Sequence, residues 1–477
     1  MNRNRHPLLF ALVVLILASL ACQSMASGES TTTQEPPQES ATQEQEPAAT
    51  EPSSQPTLES VTIPSQGPGI LCVGGTNGLS CLTESGWQIY TDDNSDLPNN
   101  YLYAGAVCPD GQFAIAHISG AVLFDGTAFK AIPELDTITS TEGIACDANG
   151  DIWLAHFQGV SRYSNGQWTT YGSDKLASGA SANELVYDVK VAPDGRVWVV
   201  TSRSVAMFEN TTWTVFQEGQ GFEDSRFFEA LTIDSQGRPW VAHTGGVDYF
   251  ENGKWTFIKE NDYNSPQSLG VDARGHIWFG TITSGVFQFD GSTWTHHDRA
   301  SEHLLSDYVT SVASDSSGRV WLGTSYGVTV FDGSNWQTLL MSNSGLGDND
   351  INFILVSKDG PALPALEEKA KGSLTGKLEK ADGSPLVGAT VEICVETLAS
   401  SFNGPTPCSD QPFFLSTKTD ENGVFLIENV PAGYYVIVAE TDDGSWAQLT
   451  DEFGITSERT LIEAGEQHDI GTLTLEK

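Results

Sequence analysis

Basic residues are scarce in this chain. Lys plus Arg number 23 against 62 Asp plus Glu in 477 residues, a formal net charge of −39 at pH 7. A surface this acidic repels phosphate backbones, anionic headgroups and polyanionic glycans, which excludes nucleic acid as a partner. After the first 20 residues no apolar run approaches the ~20 residues that a membrane-spanning helix needs. There is no Cys-x-x-Cys pair, nucleophile elbow, phosphate-binding glycine loop or dinucleotide fingerprint, so the motifs imply no catalytic residue, metal or cofactor. Apolar residues still make up 39% of the chain and aromatic residues 10%, enough for packed cores over most of its length.

At the N-terminus Arg3 and Arg5 precede an apolar run from Leu8 to Leu20, too short to cross a bilayer and shaped like an export signal. The run ends Ala18, Ser19, Leu20, Ala21, Cys22. This resembles the lipobox of bacterial lipoproteins, with Ser19 where that family prefers Leu. The resemblance implies a signal peptide over 1–22 and a lipidated Cys22, with the protein exported and held to the outer face of the cell envelope. Two or more acyl chains make such anchoring stable. Residues 23–66 hold seven Glu, no Lys or Arg and no aromatic residue, and read as a disordered stalk spanning about 35–40 Å.

The next section repeats itself. Trp153, Trp198, Trp240, Trp278 and Trp321 recur 38 to 45 residues apart, each followed 15 or 16 residues later by a second tryptophan: Trp168, Trp213, Trp255, Trp294 and Trp336. Asp-x-x-Gly or Pro-Asp-Gly turns precede the first series, and alternating β-branched runs fill the units. Four strands per ~40–45 residues is the pattern of a propeller blade. Six units run over 104–130, 143–171, 187–216, 229–258, 268–297 and 310–339. A seventh begins at Ile70 without its first strand, and Ile351–Val356 supplies that strand from the far end of the section. Joining the two in one blade closes the ring and removes open sheet edges. The expectation is an all-β chain: a seven-bladed β-propeller over 67–360, a linker over 361–371 and a β-sandwich over 372–477.

The units resemble the two-component regulator propeller repeat. The residues that carry the likeness are Asp307 to Ala313 leading to Asp315, then Gly318-Arg319-Val320-Trp321-Leu322-Gly323-Thr324, Gly327-Val328 and Phe331-Asp332-Gly333. The Asp96-Leu97-Pro98-Asn99-Asn100 loop fits as well. In that family such propellers form sensing ectodomains, often for glycans. Farther along, 382–391, 419–425 and 430–436 resemble the carboxypeptidase-regulatory-like, transthyretin-type sandwich, which implies a spacer or carbohydrate-binding-like module and not a peptidase.

With Cys22 set aside, six cysteines remain, an even number in an exported chain. A two-residue turn at Thr76-Asn77 places Cys72 opposite Cys81, close enough to bridge. Cys394 and Cys408 are expected to staple a loop of the C-terminal domain, while Cys108 and Cys146 could pair or stay free.

Few residues stand out as candidate ligand groups. Eleven of the twelve tryptophans sit at repeat positions and are expected to wedge between blades; Trp446, outside any repeat, could contact a ligand. His117, His156 and His243 share one slot, three residues past the tryptophan position, where other units have Thr201, Thr281, Thr324 or Gly75. Repeats of the similar virginiamycin B lyase carry a metal-binding acid there. The slot belongs to the turn after the second strand, on the face where propellers usually bind ligands. The imidazoles either contact a polar ligand spanning several blades or replace a threonine turn bond. Asp92, Asn94 and Asp96 imitate the start of a calcium loop, but Leu97 replaces the required Gly, so a solvated turn is expected. The leading function is a non-enzymatic module that binds or senses a neutral glycan or another surface protein. A lyase-type enzyme and a purely adhesive protein are the alternatives.

Overall fold

The structure, a computed structural model, describes residues 69–475 apart from 119, 136–139, 177–184, 220, 223–226, 244, 260–265, 302, 358, 364, 396–404, 410 and 450–458. Cys22, the signal peptide and the stalk lie outside the described residues. The described chain is all-β save for a single helical turn, Ser173–Leu176.

Between Leu71 and Val356 the strands form seven sheets, each built on four antiparallel strands. Their innermost strands are Leu102–Val107, Thr141–Cys146, Val186–Val191, Phe228–Ile233, Pro266–Val271, Val309–Ser314 and Phe353–Val356. Each lies against the innermost strand of the next sheet, and Phe353–Val356 lies against Leu102–Val107, which closes a ring. This is a β-propeller. The closing sheet combines Phe353–Val356 with Leu71–Gly75, Gly78–Thr83 and Gly86–Tyr90, as the repeat pattern required. The third of the six complete repeats adds something the periodicity does not show: Gly221–Phe222 pairs in parallel with Thr212–Glu218 as a fifth strand.

Packing follows from the sequence period. The second strand of every sheet is buried along its whole length, as in Ile152–His156 and Val320–Thr324, because neighbouring sheets cover both of its faces. The tryptophans of these strands fill the seams. Trp198 packs with Leu231, Val241 and Phe250 of the following sheet, and Trp321 with Leu71, Val73 and Ile354 across the closure. The fourth strands lie at the periphery and alternate exposed and half-buried residues, as in Lys254–Lys259. All six cysteines of the described chain pair: Cys72 with Cys81, directly opposite in register, Cys108 with Cys146, and Cys394 with Cys408. The second of these links the first and second complete repeats.

After Ser357 the period ends. Gly372–Lys380 lies between Val424–Val430 and Gln467–Leu475, and a second sheet is built on Thr390–Cys394 and Gly433–Glu440. The two sheets share one core, including Leu374, Leu378, Val391, Phe425 and Ile437. This unit is docked on the propeller. Tyr326, from the turn after a propeller second strand, is 2% exposed and belongs to that same core, its ring 6.0 Å from Phe413. Arg459 donates to Asp348 Oδ2 at 2.7 Å and to Thr76 Oγ1 at 2.6 Å, lies 3.5 Å from Asp350, and covers the Tyr434 ring. The connector follows the propeller surface, with Lys369 N donating to Ser342 O and Glu367 N to Asn343 O.

Candidate functional site

In six sheets the first residue of the innermost strand pairs with the last residue of the second strand, for example Leu102 with His117, Thr141 with His156 and Val309 with Thr324. The turns after the second strands and the loops that lead into the innermost strands therefore share one face of the ring. His117, His156 and His243 reach this face at equivalent positions, as the slot implied, but they do not line it. Their exposures are 3%, 0% and 2%. His156 Nε2 bonds Ser161 Oγ at 2.8 Å, Ser161 bonds Thr170, and His156 Nδ1 accepts from Gln158 N. His243 Nε2 lies 2.8 Å from Asp248 Oδ2, inside its own sheet. Burial lowers the pKa of His117, and that of His156 to about 4, so neutral imidazoles are favoured.

The threonines of the slot explain the role. Thr281 Oγ1 donates to Gly285 O at 2.9 Å and Thr324 Oγ1 to Gly327 O at 3.0 Å. His156 closes the same turn with a larger ring, through Gln158 N, while His243 turns back to Asp248 within its own sheet. Trp446 is half-buried at the start of Trp446–Leu449 and packs over the Cys394–Cys408 bridge with Val436 and Val438. Asp92 to Asp96 form a turn, in which Asn94 Oδ1 accepts from Thr91 N and Asn100 donates to Asp92.

A different position reaches the mouth of the ring. In each of the six sheets the register shifts by one residue just after the innermost strand begins, which leaves an unpaired bulge residue. These residues are Tyr103, Glu142, Tyr187, Glu229, Gln267 and Thr310, with Asn352 just ahead of the innermost strand in the closing sheet. A bulge re-aims a side chain that the ladder would otherwise fix, and recurs beside functional sites. All seven are half-buried.

The ring of bulge residues is not uniform. Thr310 Oγ1 donates to Ile351 O and Asn352 Nδ2 to Leu102 O at 2.8 Å, so both are absorbed into the wall. Glu142 accepts from Ser140 Oγ at 2.5 Å. Tyr103, Tyr187, Glu229 and Gln267 make no side-chain hydrogen bond to the described chain. Burial pushes the Glu229 carboxyl up to about 7 and raises that of Glu142. Tyr187 is raised to about 12 by burial and then by Glu229 and Glu142; Tyr103 is raised by burial and then by Glu142. The two phenols and two carboxyls thus act on one another across three neighbouring seams.

The open polar groups and the docked unit divide the face between them. The C-terminal unit covers turns of the last repeat and of the closing sheet, at Tyr326, Thr76 and Asp348, where the bulge residues are internally bonded. On the remaining arc the rim carries exposed apolar groups: Tyr101 at 52%, Phe227 at 51%, Ile282 at 38% and Ile118 at 36%. Arg203 lies over the Phe227 ring. Sequence reasoning missed the bulge residues. Their only sequence signal is a constant offset, eleven residues before each tryptophan slot, and no single residue type occupies it throughout. Among the described residues, no group of three or more His, Cys, Asp or Glu side chains is placed to hold a metal ion.

A repeat described as "Two component regulator propeller" matches residues 303–326. Among solved structures, the extracellular domain of a hybrid two component system from B. thetaiotaomicron is 19% identical at a TM-score of 0.46, covering 58% of this chain and 39% of that one. The surface component PorZ of the Porphyromonas gingivalis type-IX secretion system is 13% identical at 0.45, over 78% of this chain and 62% of that one. Virginiamycin B lyase from Staphylococcus aureus is 13% identical at 0.43, over 56% and 94%. No curated protein matches the chain.

Proposed function

We propose that the chain is a surface-anchored, non-enzymatic binding or sensing module. In this reading a seven-bladed β-propeller carries the ligand site, a carboxypeptidase-regulatory-like β-sandwich is fixed on one side of its face, and Cys22 carries the lipid. The ligand lies along the open arc of the face and is a glycan, with a segment of another surface protein as the second possibility. One observation carries the reading: Tyr103, Tyr187, Glu229 and Gln267 occupy equivalent bulge positions at the same end of their inner strands and make no side-chain hydrogen bond to the described chain. A polar group taken partly out of water without a partner is costly, and a ligand hydroxyl or amine repays that cost. Phenol faces and amides with an apolar rim suit a sugar better than a flat protein surface.

Binding is favoured over lyase-type catalysis because the slot that carries a metal-binding acid in the lyase repeats holds imidazoles and threonine hydroxyls buried in their own turns. The test is retention of the full-length protein on an immobilised glycan array. Retention on a defined glycan group that is lost in Tyr103→Ala/Tyr187→Ala supports the reading; retention unchanged in that variant contradicts it. The anchor is tested separately, since Cys22→Ser should move the protein from the detergent phase to the soluble fraction.

A further inference from the structure

The charge balance of the open arc narrows the ligand further, on the reading that the face binds a glycan. Two carboxyls, Glu142 and Glu229, flank Tyr187 from the two neighbouring sheets. Among the described residues no cation is paired with either of them: Glu229 has no hydrogen-bond or ion-pair partner, Glu142 has the hydroxyl of Ser140 alone, and Arg203 on the same rim lies over the Phe227 ring instead. The nearest lysine on these inner strands, Lys190, is committed to Asp188 at 2.7 Å. Elsewhere in the propeller, partly buried carboxylates are matched. Arg319 bonds Asp315, Arg238 bonds Asp234 and Arg162 bonds Asp151. Beside the unmatched carboxyls stand two phenol rings, Tyr103 and Tyr187, whose faces attract a cation. The chain's net charge of −39 draws cations toward every opening on its surface.

We propose that the open arc recognises an amino sugar, a glycan unit carrying a free ammonium group. Glu229 and Glu142 take up the ammonium, Tyr187 stacks beside it, and Tyr103 and Gln267 bond ring hydroxyls of adjoining units. An N-acetylated unit would lack the charge and leave the carboxyls unmatched. A hydroxyl in its place could bond a carboxyl but not balance it.

The experiment is titration calorimetry on the full-length protein at pH 7.5 with two probes, the β-1,4-linked hexamers of glucosamine and of N-acetylglucosamine. The glucosamine hexamer should bind at least tenfold more tightly than the acetylated one. Glu229→Gln should cost the amine probe tenfold or more and leave the acetylated probe within about twofold. Asp110→Asn/Glu209→Gln, which removes two exposed carboxylates from turns at the opposite end of the sheets, should change neither, and that separates the site from general attraction to an acidic surface. Tyr187→Phe, which keeps the ring, should retain most of the preference even if a carboxyl variant fails to fold. Equal or tighter binding of the acetylated hexamer overturns the ammonium assignment and leaves the glycan reading standing. Equal losses in Glu229→Gln and in the Asp110/Glu209 variant, or no binding of either hexamer, overturn the assignment as well. The glycan reading itself falls only if the array fails.

Discussion

The indole Nε1 of Trp240 donates to Asp234 Oδ2 at 2.9 Å, and the same aspartate uses Oδ1 to accept from Gln236 N and Arg238 N, both at 2.9 Å. One side chain thus closes the turn between first and second strands and satisfies the tryptophan of the seam. Arg238 bonds Asp234 and covers the indole. The arrangement recurs at Asp272 with Trp278 and at Asp315 with Trp321, and more loosely at Asp147 with Trp153. It fails once. Ala192 stands in the aspartate position before Trp198, and Trp198 Nε1 is buried with no partner.

That exception can be repaired. The backbone around Ala192 already has the turn geometry of the other repeats, with Gly195 N donating to Ala192 O and Ala192 N to Arg196 O. Ala192→Asp should raise stability by about 1 kcal/mol, the net value of a hydrogen bond gained by a buried donor. Asp234→Ala should lower it by ~2–4 kcal/mol, since four N–H donors lose their acceptor. Urea denaturation midpoints read both.

The buried slot histidines set an acid limit. His156 has a folded pKa of about 4 against an ordinary value of 6.5, because burial disfavours its charged form. Its neutral state is matched above pH 6.5. As pH falls from 6.5 toward 4 the unfolded chain takes up a proton that the folded chain refuses, and stability drops by on the order of 2–3 kcal/mol. His156→Thr, which installs the residue that three other repeats use, should flatten that part of the pH profile whatever its effect at pH 7. Denaturation at pH 7 and at pH 4.5 compares the two slopes.

The C-terminal unit is held by a clamp that a single substitution removes. Arg459→Ala leaves Asp348 without its buried partner, a change that costs ~3–5 kcal/mol in comparable pairs. Calorimetry should show one thermal transition in the parent and an earlier, separate one for the C-terminal unit in the variant. Hydrogen exchange should rise at Gly327, whose N–H bonds Asn349 O beside the clamp.

The ring was legible because its cause is periodic: tryptophan spacing, turn aspartates and a missing strand supplied from the far end each follow from the repeat alone. The Cys72–Cys81 pair was legible for the same reason, since a two-residue turn fixes its register. The site was not. A slot shared by three histidines reads as functional when aligned, yet position in a turn does not reveal whether a side chain points to solvent or back into the sheet. The bulge residues carry no common chemistry, and a bulge is a property of two strands in register that a single strand's sequence does not show. The docked unit was equally hidden, because the contact of Tyr326 with Phe413 joins residues that no local pattern relates.

The face itself can be mapped with the glycan that the array retains most strongly. Hydrogen–deuterium exchange of the full-length protein, free and saturated, reports each strand separately. Slowed exchange should appear in Leu102–Val107, Thr141–Cys146, Val186–Val191, Phe228–Ile233 and Pro266–Val271, at the ends that carry Tyr103, Glu142, Tyr187, Glu229 and Gln267. The turns at Asp147, Ala192, Asp234 and Asp272, at the opposite end of the same sheets, should not change. Protection of those turns instead, or protection confined to the C-terminal sheets around Trp446, would place the ligand elsewhere and contradict the account.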